Sequence, residues 1–468
     1  MTPSALDDGR LPGDIPPPIG GGMFASLRIV PFRWVAAGVL SGNSGRFAVL
    51  LVAGWEAYRL GGHSSVWPSL VSMFLLVPSM FFGLFAGSVA DRHNRALMAT
   101  TGQLVNASAC STAAWLTVTG RLDLTNLLVV AAAVGIGNSV QGPAWQAMVP
   151  EIVGPRRLLN ASMTARIAQQ GAELTGPALG TVVLTAAGPG AAFLVCSSFY
   201  VVGVAMFWRT RHSVRTPERG AGRPGVLAPI GEGLVYVRRR APLGTLLVWV
   251  GLHCSLTMAS IGILPAVATA NLRGNAGAYG LLLASFGFGS VLGPLLMMRW
   301  GRRLPVVPLL VASGLMSGLP LVSLGLVHQF GVDVVSAAAA GAAQAVFMAA
   351  IYSASQGVAD DSMRGRVASV QLSLTTGAMG LASIGWGALV AVLAPGIVLA
   401  IPGAVFVVAC APFALGRRRI AAAVEAHRSP DPRAGSVPRG EVERAGPVVD
   451  FPSGPGTIPP LHVGEERT

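Results

Sequence analysis

Apolar runs long enough to cross a bilayer follow one another along this chain twelve times, and the arginines crowd into every second gap between them. A helix of about 20 apolar residues spans the hydrocarbon core, so this alternation leaves little choice but an all-α polytopic membrane protein. The runs fall near residues 34–57, 66–90, 97–119, 124–148, 161–187, 189–208, 244–269, 277–298, 304–326, 331–356, 367–393 and 396–415. An even number of spans puts both ends of the chain on one side. That side holds 28 of the 33 arginines, whereas the opposite gaps hold only Arg59, Arg121 and Arg273. By the positive-inside rule both termini are expected to be cytoplasmic, in a bacterial inner membrane.

The net charge of +13 is therefore mainly topological, and it carries no expectation of nucleic-acid binding. Hydrophobic residues make up 52% of the chain against 11% charged, and 60 glycines accompany them, a composition suited to helices packed closely within lipid. Residues 1–22 lack an apolar signal-peptide core, so the first span is expected to direct insertion. Cys110, Cys196, Cys254 and Cys410 all fall in spans without metal-ligand spacing, which predicts buried reduced thiols and neither a disulfide nor a metal site. No phosphate-binding loop or catalytic triad spacing appears, and no cofactor is expected.

The longest internal gap divides six spans from six. The expected organisation is a cytoplasmic tail over 1–32, a six-helix bundle over 33–208, a cytoplasmic linker over 209–242, a second bundle over 243–416 and a disordered tail over 417–468. Ile230, Leu234, Tyr236 and Val237, followed by Arg238, Arg239 and Arg240, predict a short amphipathic helix at the end of the linker, lying on the inner leaflet or solvated. The two halves repeat: Arg92 and Arg95 after the second span map onto Arg299 and Arg302 after the eighth with one offset of 207 residues. Weak duplication of this kind belongs to transporters built from internal repeats, with a substrate site between the halves.

Two stretches carry more than topology. In Gly87-x-x-x-Asp91-Arg92-x-x-Arg95, a glycine lets helices approach and a tight turn presents an acid and two bases to neighbouring helix ends. In the fifth span, Gly171, Gly176, Pro177 and Gly180 combine small residues with a proline that bends the helix. The first stretch resembles the loop between spans two and three of the major facilitator superfamily, and the resemblance implies that Gly87, Asp91, Arg92 and Arg95 latch an inner gate. The second resembles the fifth-span signature of that superfamily's antiporters, which implies export, although Thr181 stands where a second glycine is usual. Within the superfamily the likeness is to the enterobactin-exporter and macrolide-efflux (transmembrane secretion effector) type. It is carried by Pro143 to Val153, Leu158 to Ala161, Gly176 to Gly180, and Tyr236 to Arg239. The fold it implies is two pseudo-symmetric six-helix bundles.

An ionisable residue inside a span costs several kcal/mol unless paired or hydrated, so each is a candidate for function. Glu173 falls near the middle of the fifth span and Arg46 near the middle of the first; Arg166 lies seven residues before Glu173, too far along the helix to bond it directly. A water-filled cavity bordered by all three is expected, with Glu173 coupling proton movement and Arg46 acting as its counter-charge or as an anchor for an anionic cargo group; a fixed structural ion pair is the alternative. Other polar candidates for a cargo cavity are Asn43, Asn138, Gln141, His253 and Gln344, with Trp145 placed to stack on a flat cargo. Trp55, Trp67, Trp115 and Trp208 read as interfacial anchors, and Phe286 and Phe288 as packing residues.

The sequence thus leads to the expectation of a secondary exporter, a proton antiporter of a drug, antibiotic, siderophore or other small metabolite, working as a monomer in the lipid bilayer. A lipid or lysophospholipid transporter is the alternative within the same fold. A membrane-embedded enzyme would need clustered acids or histidines at an interface, and Asp360-Asp361 is the only adjacent acidic pair between residues 33 and 416.

Overall fold

The structure is a computed structural model that describes residues 24–90, 94–214, 227–272, 274–300, 306–360 and 363–415. Asp91 and Arg92 of the gate-like loop, the two tails and the first part of the linker lie outside the described residues. Among those described there is no strand.

The first half runs through α1 (Val30–Leu60), α2 (Val66–Ala90), α3 (Arg95–Val118), α4 (Leu124–Val153) and α5 (Leu158–Arg209). Helix α5 is 52 residues long but breaks at Gly188, whose φ of 81° and ψ of 178° are non-helical. That glycine and the Pro189 after it divide α5 into the fifth and sixth spans, where the sequence reading ended one and began the next. The linker ends in α6 (Leu227–Arg239). The second half runs through α7 (Ala241–His253), α8 (Leu264–Leu272), α9 (Ala276–Trp300), α10 (Val306–Leu326), α11 (Phe330–Val358), α12 (Arg364–Leu389) and α13 (Pro395–Leu415).

The seventh span, expected over 244–269, is present as one helical run over Pro242–Ala270, but it is not α-helical throughout. Between α7 and α8 the chain passes through a π-turn at Cys254–Met258 and a 3-10 stretch at Ala259–Ile263. Such irregularity is tolerated at membrane depth where protein, not lipid, surrounds the backbone. Here α12 supplies a partner: the Trp386 indole donates to the Ser255 carbonyl at 2.7 Å.

Local chemistry sets the helix ends. Asp123 caps α4 by accepting from the Asn126 amide at 2.7 Å, and Gly154 ends it with a φ of 69°. Asn94 caps α3, accepting from the amides of Ala96 and Leu97 at 3.0 and 3.2 Å, while its own amide donates to the Arg211 carbonyl at 3.0 Å. Asn94 thus fastens the start of α3 to the end of α5. Asn94→Ala is expected to cost about 1 to 2 kcal/mol, measurable as a lower melting temperature of the purified protein in detergent, with Asn94→Asp keeping the cap but losing the tie to Arg211.

The cores show how the halves meet. One apolar cluster takes in residues of both, among them Leu51, Val71 and Phe193 from the first and Ile263, Leu282 and Val398 from the second. It fills the arginine-poor end. Toward the arginine-rich end each half has its own core, built around Phe32, Trp145 and Phe207 in the first and around Trp249, Phe347 and Phe406 in the second. Polar contacts agree: at the arginine-poor end Tyr58 meets Thr269 at 2.8 Å, Trp55 stacks on Tyr279, and Ser383 donates to the Ser69 carbonyl at 3.1 Å, all across the halves. The described ion pairs toward the other end, Arg95 with Glu151, Arg240 with Asp360 and Arg366 with Glu232, each stay within one half and its attached linker helix.

Two expectations about aromatic anchors divide. Trp115 and Trp208 are exposed on the surface, but Trp55 and Trp67 pack against the shared core, because that end is closed and needs their bulk. The predicted α6 is seated on the second half: Glu232 pairs with Arg366 at 2.7 Å, Tyr236 accepts from the Asp360 amide at 3.0 Å, and Gly233 lies against Arg366 and Val370.

Candidate functional site

The site begins with two glycines that bring backbones together. On α5, a Cβ at Gly176 would press on the Ser44 carbonyl of α1 and stand 3.0 Å from the Ala48 amide nitrogen. The same crossing is tied by the Ser44 and Thr175 hydroxyls at 2.6 Å. Gly180, one turn on, lies against Leu51 and Ala48 of α1. On α9, a Cβ at Gly287 would press on the carbonyl of Glu173 itself and stand 2.6 Å from the Leu174 amide nitrogen. The residues of the antiporter-like stretch therefore pack α5 on α1, and Gly287 packs α9 on α5 from another side. Pro177 is buried in this crossing, and its carbonyl accepts from the Thr181 hydroxyl at 2.6 Å. Thr181, in the place of the usual glycine, is received by Gly280 of α9. A Cβ at Gly171 would meet Leu40 at an ordinary 3.7 Å, so this glycine is not held by a close approach.

This crossing sets Arg46 and Glu173 on the wall of one cavity of about 280 Å³, between the halves and beneath the shared core. Their charges are close enough to act on each other, and the Ser290 hydroxyl of α9 lies beside the Glu173 carboxyl. They do not join in a direct ion pair; the described ion pairs lie elsewhere. Ser72 and Gln169 complete the polar part of the first-half wall, and Gln170 beside Gln169 donates to the Ser290 carbonyl at 3.2 Å. The second half contributes Thr257, Ser260 and Gln344 among apolar and sulfur-bearing side chains. Gln344 is 2% exposed and, among the described residues, neither of its side-chain polar atoms finds a partner. A buried amide in that condition is suited to a ligand or to water.

The other predicted residues stand away from the cavity. Arg166 is exposed and donates to Gln169 at 3.2 Å. Asn43 bonds back to the Val39 carbonyl at 2.8 Å, as amides inside spans commonly do. The Asn138 side chain accepts from Asn106 at 3.0 Å, which ties α3 to α4, and from Gln141 of its own helix at 2.9 Å. Trp145 belongs to the first half's own core. His253 is wholly buried, stacked on Phe347 with ring centroids 4.1 Å apart and 3.3 Å from the Ser317 hydroxyl. Of the gate-like stretch, Gly87 lies on α2, and Arg95 pairs with Glu151 of α4 at 3.0 Å.

Sequence reasoning missed the π and 3-10 turns inside the seventh span, whose residues Cys254, Thr257, Met258, Ser260 and Ile261 lie on the cavity wall. The signal was there in Ser255, Thr257, Ser260, Gly262 and Pro265, a run of small polar residues and helix breakers inside an apolar segment. Phe286, read as packing, also lines the cavity, whereas Phe288 is 51% exposed on the outer surface.

Among the described residues, two sets of six spans on either side of a cavity that carries opposed charges make up the major facilitator fold. The chain belongs to the transmembrane secretion effector family, whose sequence model matches residues 21–449. It is similar to macrolide efflux protein A of Streptococcus pyogenes, 24% identical over 267 residues that make up 56% of this chain and 65% of that one. The protein of the same name from Enterococcus faecalis is 24% identical over 268 residues, 56% of this chain and 82% of that one. The match thus spans a little under two thirds of the length of the streptococcal relatives. Among solved structures, a bacterial homologue of the human lysosomal transporter Spinster, inward-facing and unoccupied, superposes with a TM-score of 0.63 at 16% identity, covering 88% of this chain and all of that one. A POT family transporter in complex with 5-aminolevulinic acid gives 0.69 at 10% identity, over 83% of this chain and 96% of the other. At these identities the likeness is one of fold.

Proposed function

We propose that the protein is a secondary exporter that expels a small organic molecule, of the macrolide antibiotic class or a comparable metabolite, in exchange for protons. The observation that carries this is the placing of Glu173 and Arg46 on one cavity that a shared core covers at the arginine-poor end. With the arginine-rich end cytoplasmic, as the positive-inside rule directs, the two separate cores of that end would let the halves part toward the cytoplasm. Cargo would enter there, the halves would rock about the cavity, and the contacts of Tyr58 with Thr269 and of Trp55 with Tyr279 would open to release it outside.

Glu173 is the side chain able to hold a proton in the cavity, and Arg46 is its counter-charge. Exchange follows if proton and cargo occupy the same wall in turn. The test is transport of erythromycin into proteoliposomes with the purified protein under pH gradients of either sign. Accumulation should follow the gradient and reverse with it. Accumulation indifferent to a pH gradient and dependent on sodium would remove proton exchange from the reading. Equal movement with no gradient of any kind would remove active export.

A further inference from the structure

The two walls of the cavity differ in kind. Among the described residues that line it, both charges, Arg46 and Glu173, belong to the first half, and the second half contributes none. What the second half contributes instead is sulfur: Met258 from the π-turn, Met348 from α11 and Met379 from α12 line the cavity with the Cys254 thiol. The three methionines are partly exposed to it while packed against the second half's core, and Cys254 Sγ lies 3.9 Å from Met258 Sδ. They come from three separate segments, so the wall they form is a product of the tertiary fold.

A methionine side chain is unbranched, turns about three bonds and carries a polarizable thioether, so it refills a gap of changed shape at little cost and makes favourable contact with aromatic rings. Leucine occupies nearly the same volume but keeps to a few rotamers. Three methionines facing one void, with no charge among them, form a surface that yields to the shape of what it touches. The opposite wall cannot do this, because Arg46 and Glu173 are set by the close crossing of α1 and α5 at Gly176.

We infer that Met258, Met348 and Met379 determine the range of cargo shapes the protein accepts, and that Arg46 and Glu173 separately select cargo by charge. The cargo class that fits is a molecule with one polar or charged end and a bulky apolar body whose outline varies from one substrate to the next. This rests on the exporter reading for the use of the cavity, but binding reads it without any transport.

The experiment measures binding of three fluorescent probes of unlike outline, ethidium, rhodamine 6G and Hoechst 33342, to the purified full-length protein. Wild type is compared with Met258→Leu, Met348→Leu and Met379→Leu, singly and together. The triple variant should hold one probe near wild-type affinity while weakening for at least one other by tenfold or more. In wild type enriched with 13C-methyl methionine, the three methyl resonances should shift differently with each probe. Affinities that stay unchanged, or that all fall by one factor, would overturn the inference, as would methyl shifts that are the same for every probe. If wild type binds none of the three, the inference falls together with the cargo cavity. If binding narrows as expected while no gradient drives transport, the wall stands and the exporter reading fails.

Discussion

Glu173→Gln is expected to abolish the response of transport to a pH gradient while leaving the cavity able to bind an uncharged cargo. Glutamine keeps the shape of the side chain and its place beside Ser290, but it fixes the neutral form, so no proton can be taken up or released. Without a proton to exchange, accumulation against a gradient should fall on the order of tenfold or more, to the level seen with no gradient, and Glu173→Asp should retain part of it. Exchange of labelled for unlabelled cargo needs no net proton movement and should survive. The competing account is a structural role, in which Glu173 serves only to offset Arg46. It makes a different forecast: a buried charge left without its counterpart destabilises the protein, so Glu173→Gln and Arg46→Gln would each lower the melting temperature and the double variant would recover it. Recovery of transport in the double variant would sink the coupling role.

That Arg46 and Glu173 belong together was legible from the sequence for a simple reason: charge is so costly inside a span that each exception demands an explanation. The span pattern was legible on the same ground, and so was the break at Gly188, where glycine and proline interrupt an apolar run. The second-half wall was not. A helix that is apolar all round has no amphipathic face to show which side meets lipid, which meets a neighbour and which meets the cavity, so Met348 and Met379 look like any other core residue. Asn43, Asn138, Gln141 and His253 do not line this cavity, for the converse reason: an amide or imidazole in a span needs a hydrogen-bond partner, and a carbonyl, an amide or a hydroxyl nearby supplies it as well as a cargo would. Nor does sequence spacing reveal Gly287, whose role depends wholly on the carbonyl of Glu173 in another helix.

Gly287→Ala should reveal that dependence through a change of sign. In an exposed helix interior the replacement of glycine by alanine stabilises, by about 0.5 to 1 kcal/mol, because the unfolded chain loses freedom. At Gly287 the added methyl would meet the Glu173 carbonyl and the Leu174 amide nitrogen, which are backbone atoms and cannot rotate aside. Helices α5 and α9 must then part, and overpacking of this kind costs about 1 to 3 kcal/mol, enough to outweigh the gain. Gly142 in α4 is the control, since a Cβ there would meet nothing within 4 Å. Gly142→Ala should match or exceed wild type in a thermal melt in detergent, while Gly287→Ala melts several degrees lower. Because the displaced backbone is that of Glu173, the gradient response of transport should weaken in Gly287→Ala even in molecules that remain folded. A Gly287→Ala protein as stable and as gradient-responsive as wild type would show that α5 and α9 do not approach so closely. The crossing could not then be what fixes Glu173 against the cavity.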